Sequence, residues 1–283
     1  MSFPIQINES LRIKYCKLRL LENTSFVSLQ AVTLAAVKLS DSIVNALISG
    51  SPCLEKLLLE CRFVPDSFLL EAPESHLKCI VVNNCFSIGK KFIEHFSVNI
   101  PSLQSFKYKG IIKDVSVKNL RNLIDAEIDE QNEYYGFPSH ELHMLCELFN
   151  GLSHAHVLTL TSWLYIQEET DASYILDKSV LKEPKVWEEL TMPLKFLLHL
   201  KKVEIKGFEG RGNEIEFLQF LLKNSEVLEK MVISNADLTA RYEKYKNKGD
   251  KKTLKQLQKT QLKSIQKFFF LRKASPCAEI VLS

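Results

Sequence analysis

Residues 29–37 (LQAVTLAAV), 54–62 (LEKLLLECR) and 77–85 (LKCIVVNNC) decide the fold of this chain, because one spacing of apolar residues occurs in all three. Counted from the leucine that opens each stretch, apolar side chains stand at offsets 0, 3 and 5, and in the first and third also at offset 8. Successive openings are 25 and 23 residues apart. Since side chains alternate between the two faces of a strand, offsets 3 and 5 share one face. Each stretch therefore predicts a short strand with one buried face and a longer connection to the next strand.

A repeat of this length and internal spacing is typical of leucine-rich repeats, in which each unit supplies one strand and returns through a helix or an irregular segment. One unit is too small to bury its own apolar face, so it needs a neighbour on each side. The predicted fold is an α/β leucine-rich repeat solenoid. It has a curved parallel sheet of about eight or nine strands on its concave side, and helices or irregular returns on its convex side.

The spacing continues on both sides of these stretches. An incomplete row comes first, at Leu11, Ile13 and Cys16, and later rows open at Leu103, Leu123, Ala155, Leu200 and Leu228. Return helices are predicted between Ser40 and Gly50 and over residues 88–96, 139–152 and 213–224. In the first helix, Ser40 or Asp41 can serve as the N-cap, and the predicted inward stripe is Ile43, Leu47 and Ile48.

Composition and cysteine usage indicate an ordinary folded protein of a reducing compartment. The chain has 283 residues, of which 46% are apolar, and its seven cysteines contain no Cys-x-x-Cys pair. Reduced, partly buried thiols are the expectation for such a set. The N-terminus has no secretory pattern and no stretch is apolar enough to span a membrane, so we expect a cytoplasmic or nuclear location and no membrane partner.

The net charge of +3 hides a strongly basic segment near the C-terminus. Residues 241–273 contain twelve Lys and Arg against two acidic residues. The segment lies in a predicted basic helix over residues 237–273, broken near Gly249, which is followed by a possible terminal strand over residues 278–282. A helix with a solvated lysine face is the ordinary interpretation, while binding of nucleic acid or of an acidic partner is the alternative.

Two groups of residues are candidate chemical sites. Gly207, Gly210 and Gly212 lie between a predicted strand and helix, but their spacing differs from the nucleotide-binding fingerprints, so a tight turn is the preferred account. Metal-type side chains occur at His140, His143, Cys146, His154 and His156. Solvated or hydrogen-bonded histidines explain this set better than a metal site does. We expect no catalytic residue, no metal and no cofactor.

The positions expected to contact a partner are those that flank the central buried residue of each strand and point to the concave side, the surface that solenoid proteins commonly use. These positions are Arg12, Lys14, Thr33, Glu60, Val81, Asn83, Lys107, Lys109, Glu127, Asp129, Thr159, Thr161, Glu204 and Lys206. Lys107 and Lys109 stand one strand away from Glu127 and Asp129, a distance of about 5 Å between strands. These four charges are therefore also candidates to pair with each other.

Three segments near the C-terminus carry a resemblance to a known family: residues 200–214 (LKKVEIKGFEGRGNE), 217–233 (FLQFLLKNSEVLEKMVI) and 272–280 (RKASPCAEI). Together they resemble the FBD domain of plant F-box proteins with leucine-rich repeats. Residues 49–61 (SGSPCLEKLLLEC) resemble the repeats of the same family. The resemblance implies two domains, leucine-rich repeats over residues 1–186 and an FBD-like unit over residues 187–283.

The resemblance also implies a non-catalytic protein-interaction module that holds a substrate protein for a cullin-based ubiquitin ligase. Members of this family usually carry an N-terminal F-box that docks on the ligase adaptor, whereas this sequence opens directly in the repeats. A ligase adaptor is therefore expected as a partner only if an F-box is encoded upstream. A degenerate family copy that lacks the F-box is the alternative.

Overall fold

A computed structural model of the chain describes residues 9–20, 25–60, 63–87, 93–111, 114–130, 137–138, 142–161, 166–167, 197–208, 212–235 and 273–283. The chain divides into two compact units, the first of Met1–Asn132 with His143–Leu158 and the second of Glu133–Leu142 with Thr159–Ser283. Across the described ranges, every helix falls short of the length and apolar character needed to span a membrane.

The elements follow the repeat spacing. In chain order they are β1 (Ser10–Lys14), β2 (Ala31–Ala35), α1 (Asp41–Ser49), β3 (Lys56–Glu60), β4 (Ser67–Glu71), β5 (Cys79–Asn83), β6 (His95–Asn99), β7 (Ser105–Gly110), β8 (Val115–Lys118), β9 (Asp125–Glu130), β10 (Phe137–Pro138), α2 (Leu142–Gly151), β11 (Val157–Thr161), β12 (Ile166–Gln167), β13 (Lys202–Phe208), α3 (Gly212–Asn224), β14 (Lys230–Asn235) and β15 (Glu279–Leu282). A strand covers offsets 2 to 6 of each predicted row, so the prediction of a parallel repeat fold is confirmed.

The main sheet of the first unit consists of β1, β2, β3, β5, β7 and β9, which are parallel and adjacent in that order. Its register places the offset-5 residues of successive strands side by side. The column runs through Leu34, Leu59, Val82, Tyr108 and Ile128, each at most 2% exposed. The predicted interior column is therefore confirmed.

A second parallel sheet, here called the return sheet, consists of β4, β6 and β8. Phe96 of β6 joins the two sheets, since its ring lies 6.0 Å from that of Phe68 in β4 and 5.6 Å from that of Tyr108 in β7. The return helix predicted over residues 88–96 is wrong for the described part, because His95 and Phe96 begin β6. Ile93 and Phe96 are both buried, and their spacing of three fits a turn entering a strand as well as a helix.

Helix α1 begins and ends where the sequence predicts. The Ser40 hydroxyl accepts a hydrogen bond from the Ile43 N–H at 3.4 Å, and Gly50 follows the last turn. The buried stripe is Val44, Leu47 and Ile48, whereas Ile43 is partly exposed. The predicted stripe is therefore wrong by one residue at its first position.

Each edge strand of the return sheet meets a helix. The Asn45 side chain of α1 donates to the Leu69 carbonyl and accepts from the Glu71 N–H, both at 3.1 Å, so it satisfies backbone groups of β4 as a neighbouring strand would. At the other edge, Gly151 ends α2, and a β-carbon there would overlap the Val117 carbonyl and lie 2.8 Å from the Val117 β-carbon. Glycine permits this close approach between α2 and β8.

In the second unit, β13, β14 and β15 are parallel neighbours, and α3 connects the first two. Val203, Phe208 and Met231 are fully buried. The predicted terminal strand is confirmed, because β15 pairs with β14 and the Ser283 N–H donates to the Ile233 carbonyl at 3.0 Å. The predicted basic helix and the predicted domain boundary at residues 186 and 187 lie outside the described residues.

Candidate functional site

The outward face of the main sheet is the side opposite its buried columns. It carries three rows of side chains, one residue from every strand in each row, at offsets 2, 4 and 6. The middle row is Arg12, Thr33, Leu58, Val81, Lys107 and Glu127. This one face therefore holds all the predicted partner-contact positions of the first unit, from Arg12 to Asp129.

At the β7–β9 end of the face, the charges satisfy each other across the two strands. Lys107 Nζ lies 2.9 Å from Glu127 Oε2, and Lys109 Nζ lies 2.7 Å from Asp129 Oδ2. Ser105 donates a hydrogen bond of 2.8 Å to Asp125 in the same register. We call these three pairs the charge ladder. The prediction that Lys107 and Lys109 pair with Glu127 and Asp129 is confirmed.

The charge ladder also changes the proton affinity of one member. The hydrogen bond that Lys107 donates to Glu127 raises the pKa of Lys107, an effect opposed by partial burial and reinforced by the nearby negative charge of Glu127. The ammonium form is thus favoured by a partner within the same sheet. An ammonium group that already pairs with a carboxylate of the sheet is less available to a binding partner.

The β1–β5 end of the face, here called the N-terminal face, has no such ladder. Arg12, Lys14, Lys56 and Glu60 are exposed, and among the described residues they form no ion pair. The remaining positions are small, apolar or amide side chains: Ala31, Thr33, Ala35, Leu58, Cys79, Val81 and Asn83. Of these, Leu58 and Val81 are partly exposed and adjacent in the register.

Sequence reasoning missed the offset-2 row and Leu58. The offset-2 row includes Lys56 and Cys79, which lie next to each other. Leu58 stands in the run Leu57-Leu58-Leu59, where three equal residues conceal the alternation of faces. Its offset of 4 was the available signal, because the residues at offsets 3 and 5 are fully buried.

The predicted partner-contact positions in the second unit are less accessible or already engaged. Thr159 is buried, at 9% exposed, so the expectation that it is exposed is wrong. Both faces of β11 are buried at its centre, because Leu158 and Leu160 lie on one face and Thr159 on the other. Glu204 Oε2 lies 3.4 Å from Lys202 Nζ. Thr161 and Lys206 are partly exposed.

The geometry gives little support to phosphate binding at the three glycines or to metal binding at the histidines. Glu214 is 5% exposed in the first turn of α3, and a buried carboxylate there would repel a phosphate at that helix start. Gly207 has φ 75° beside a register shift in β13, which fits the tight-turn account. His154 and His156 are exposed, and burial raises the pKa of the Cys146 thiol. Among the described side chains, no three His, Cys, Asp or Glu residues are grouped so that they could hold a metal ion. His140 and the side chain of His143 lie outside the described part.

Two protein-family models match this chain. Residues 188–233 match the FBD model, which covers β13, α3 and most of β14. Residues 4–124 match the model of the leucine-rich repeats of the FBD-associated F-box protein At5g56370, which covers β1 to β8. A search of curated proteins gave no match.

Proposed function

Because the chain belongs to the family of FBD proteins with leucine-rich repeats, we propose that it is a recognition module that holds a protein partner on its outward face. Such families are generally non-catalytic protein-interaction modules. The finer part of the proposal is that the partner is a substrate of a cullin-based ubiquitin ligase. The ligase adaptor is a partner only if an F-box is encoded upstream of these repeats.

The observation that carries the proposal is the N-terminal face. The inner sides of β2, β3 and β5 are fully buried, so the outward side chains of these three strands have fixed positions before a partner arrives. The inward residues of β1, Leu11 and Ile13, are partly exposed. Exposed charges stand beside the partly exposed Leu58 and Val81, and this combination of apolar centre and polar rim is common at protein interfaces. A preformed surface binds with a smaller loss of conformational entropy than a surface that must first become ordered.

A matched pair of leucines tests the proposal. Leu58 in β3 and Leu69 in β4 are both the central residue of a five-residue strand, and both are partly exposed between two buried neighbours. They differ in sheet, since Leu58 lies on the N-terminal face and Leu69 on the return sheet. Leu58→Asp should remove partner binding, and Leu69→Asp should leave it intact.

The measurement is quantitative capture of plant proteins on the immobilised full chain, on Leu58→Asp and on Leu69→Asp, with thermal unfolding of all three as the folding control. The expected result is a reproducible set of proteins that is lost with Leu58→Asp alone. Equal capture by both variants at equal stability would reject the outward face as the binding surface. Ligase components captured by a longer gene product would support the finer part of the proposal.

The basic segment is a second candidate site because of its charge, twelve Lys and Arg within residues 241–273. Its candidate partners are nucleic acids and acidic proteins. Retention of the full chain on heparin should then weaken steeply as salt increases. Retention that is absent or insensitive to salt would remove this alternative.

A further inference from the structure

We propose that the N-terminal face takes an extended peptide segment that is acidic at one end and apolar at the other. This inference rests on the proposed function and narrows it to one chemical class of partner. The acidic end lies over Arg12 and Lys14 in β1, and the apolar end lies over Leu58 and Val81 in β3 and β5.

The charges of the face select an acidic partner. Arg12, Lys14 and Lys56 are exposed cations against the single carboxylate of Glu60 among the outward positions of β1, β2, β3 and β5. Lys14 and Glu60 are separated by the small side chain of Ala35 in β2, and they form no ion pair. Carboxylates of a partner would give Arg12 and Lys14 the ion pairs that Lys107 and Lys109 form within the charge ladder.

The apolar part of the face lies to one side of Arg12 and Lys14, while Lys56 and Glu60 flank Leu58 within β3. Arg12, Thr33, Leu58 and Val81 are successive members of one row, so Arg12 and Val81 are three strand spacings apart, about 14 Å. At roughly 3.3 Å per residue, an extended segment of about five residues spans that distance. The order of side chains in the row therefore determines the order of acidic and apolar residues along the bound peptide.

A peptide fits the face better than a nucleic acid does. The row beside the cations consists of a threonine, a leucine and a valine, whereas single-stranded nucleic acids are usually held on stacked aromatic side chains. Tyr15 is 83% exposed at the end of β1 and could stack on a base. A nucleic acid is therefore included as an outcome of the test.

The experiment selects a phage-displayed library of random hexapeptides on the immobilised full chain. The most enriched sequence is then labelled with fluorescein, and its affinity is measured by anisotropy for the wild-type chain and for two double variants. Arg12→Glu with Lys14→Glu reverses the charges of β1. Lys118→Glu with Arg121→Glu is the matched control, because this pair is also exposed and, within the described residues, forms no ion pair.

We expect enriched peptides with acidic residues at one end and aliphatic residues at the other. Their affinity should fall about tenfold or more in the Arg12→Glu, Lys14→Glu variant and stay within about twofold of wild type in the control. Affinity should also weaken as salt increases.

Three results would overturn the inference: no enriched peptide, enriched peptides without acidic residues, or equal affinities for the two double variants. Binding of a labelled single-stranded oligonucleotide that is lost in the β1 variant would assign the face to nucleic acids instead. The proposed function is judged separately, because capture of proteins that depends on Leu58 stands whether or not these proteins are acidic.

Discussion

The charge ladder and the N-terminal face occupy equivalent positions of the same sheet, yet they use their charges differently. In the ladder, every cation of β7 lies within 2.9 Å of a carboxylate of β9. On the N-terminal face, Arg12 and Lys14 are exposed and, within the described residues, without an ion-pair partner. Position on the outward face is therefore insufficient to identify a binding residue, since the neighbouring strand decides whether a charge remains available.

The largest expected effect is on the free energy of unfolding, and it distinguishes the adjacent Leu58 and Leu59, which lie on opposite sides of the main sheet. Leu59→Ala should lower the free energy of unfolding by about 2–5 kcal/mol, because Leu59 is fully buried and its removal leaves a cavity. Leu58→Ala should cost under about 1 kcal/mol, since Leu58 is partly exposed. Urea unfolding of both variants measures the difference. Equal losses would mean that Leu58 belongs to the core and that the N-terminal face is wrongly defined.

The next effect tests whether the ladder is structural. Lys109→Glu places two carboxylates opposite each other at Asp129, which is only 16% exposed, and should cost roughly 1–2 kcal/mol. Adding Asp129→Lys should restore much of the loss, because the pair is then re-formed in reverse. Lys14→Glu, an equal change of charge on the N-terminal face, should leave the free energy of unfolding nearly unchanged. A loss with Lys14→Glu as large as with Lys109→Glu would erase the distinction between the regions.

The smallest effect is a pH dependence of the ladder. Since folding raises the pKa of Lys107, the folded state holds this proton more tightly than the unfolded state does. The stabilisation is therefore complete below the unfolded lysine pKa of about 10.4 and is lost as pH rises through the higher folded value. Unfolding of wild type and of Lys107→Met, measured from neutral to alkaline pH, should converge at the alkaline end. A constant difference between the two would contradict the raised pKa.

The sequence predicts the main sheet almost completely, and the reason is local. Each repeat packs between the repeat before it and the repeat after it, so offsets 3 and 5 need apolar side chains in every repeat. Leu34, Leu59 and Val82 meet this requirement, and it can be recognised from each repeat alone. The N-cap at Ser40 is an equally local feature, because its hydroxyl accepts from the Ile43 N–H three residues later.

The return segments and the outward face are harder to predict, because their structure depends on neighbours that are distant in sequence. Phe96 belongs to a strand since β4 and β8 pair with β6 on either side, and the spacing of its apolar residues alone fits a helix as well. Thr159 is buried although its offset predicts exposure. Whether Lys107 contacts a partner protein or pairs with Glu127 depends on the register of β7 and β9, and the sequence alone left both possibilities open.

The central claim is that partner recognition belongs to the N-terminal face and that the ladder is part of the framework. The most direct measurement compares protein capture by Arg12→Glu with Lys14→Glu and by Lys109→Glu with Asp129→Lys. Both variants alter two residues of the outward face, and the second re-forms its own ion pair. We predict that the first variant loses the captured partners and that the second retains them. Retention by the first variant and loss by the second would contradict the claim.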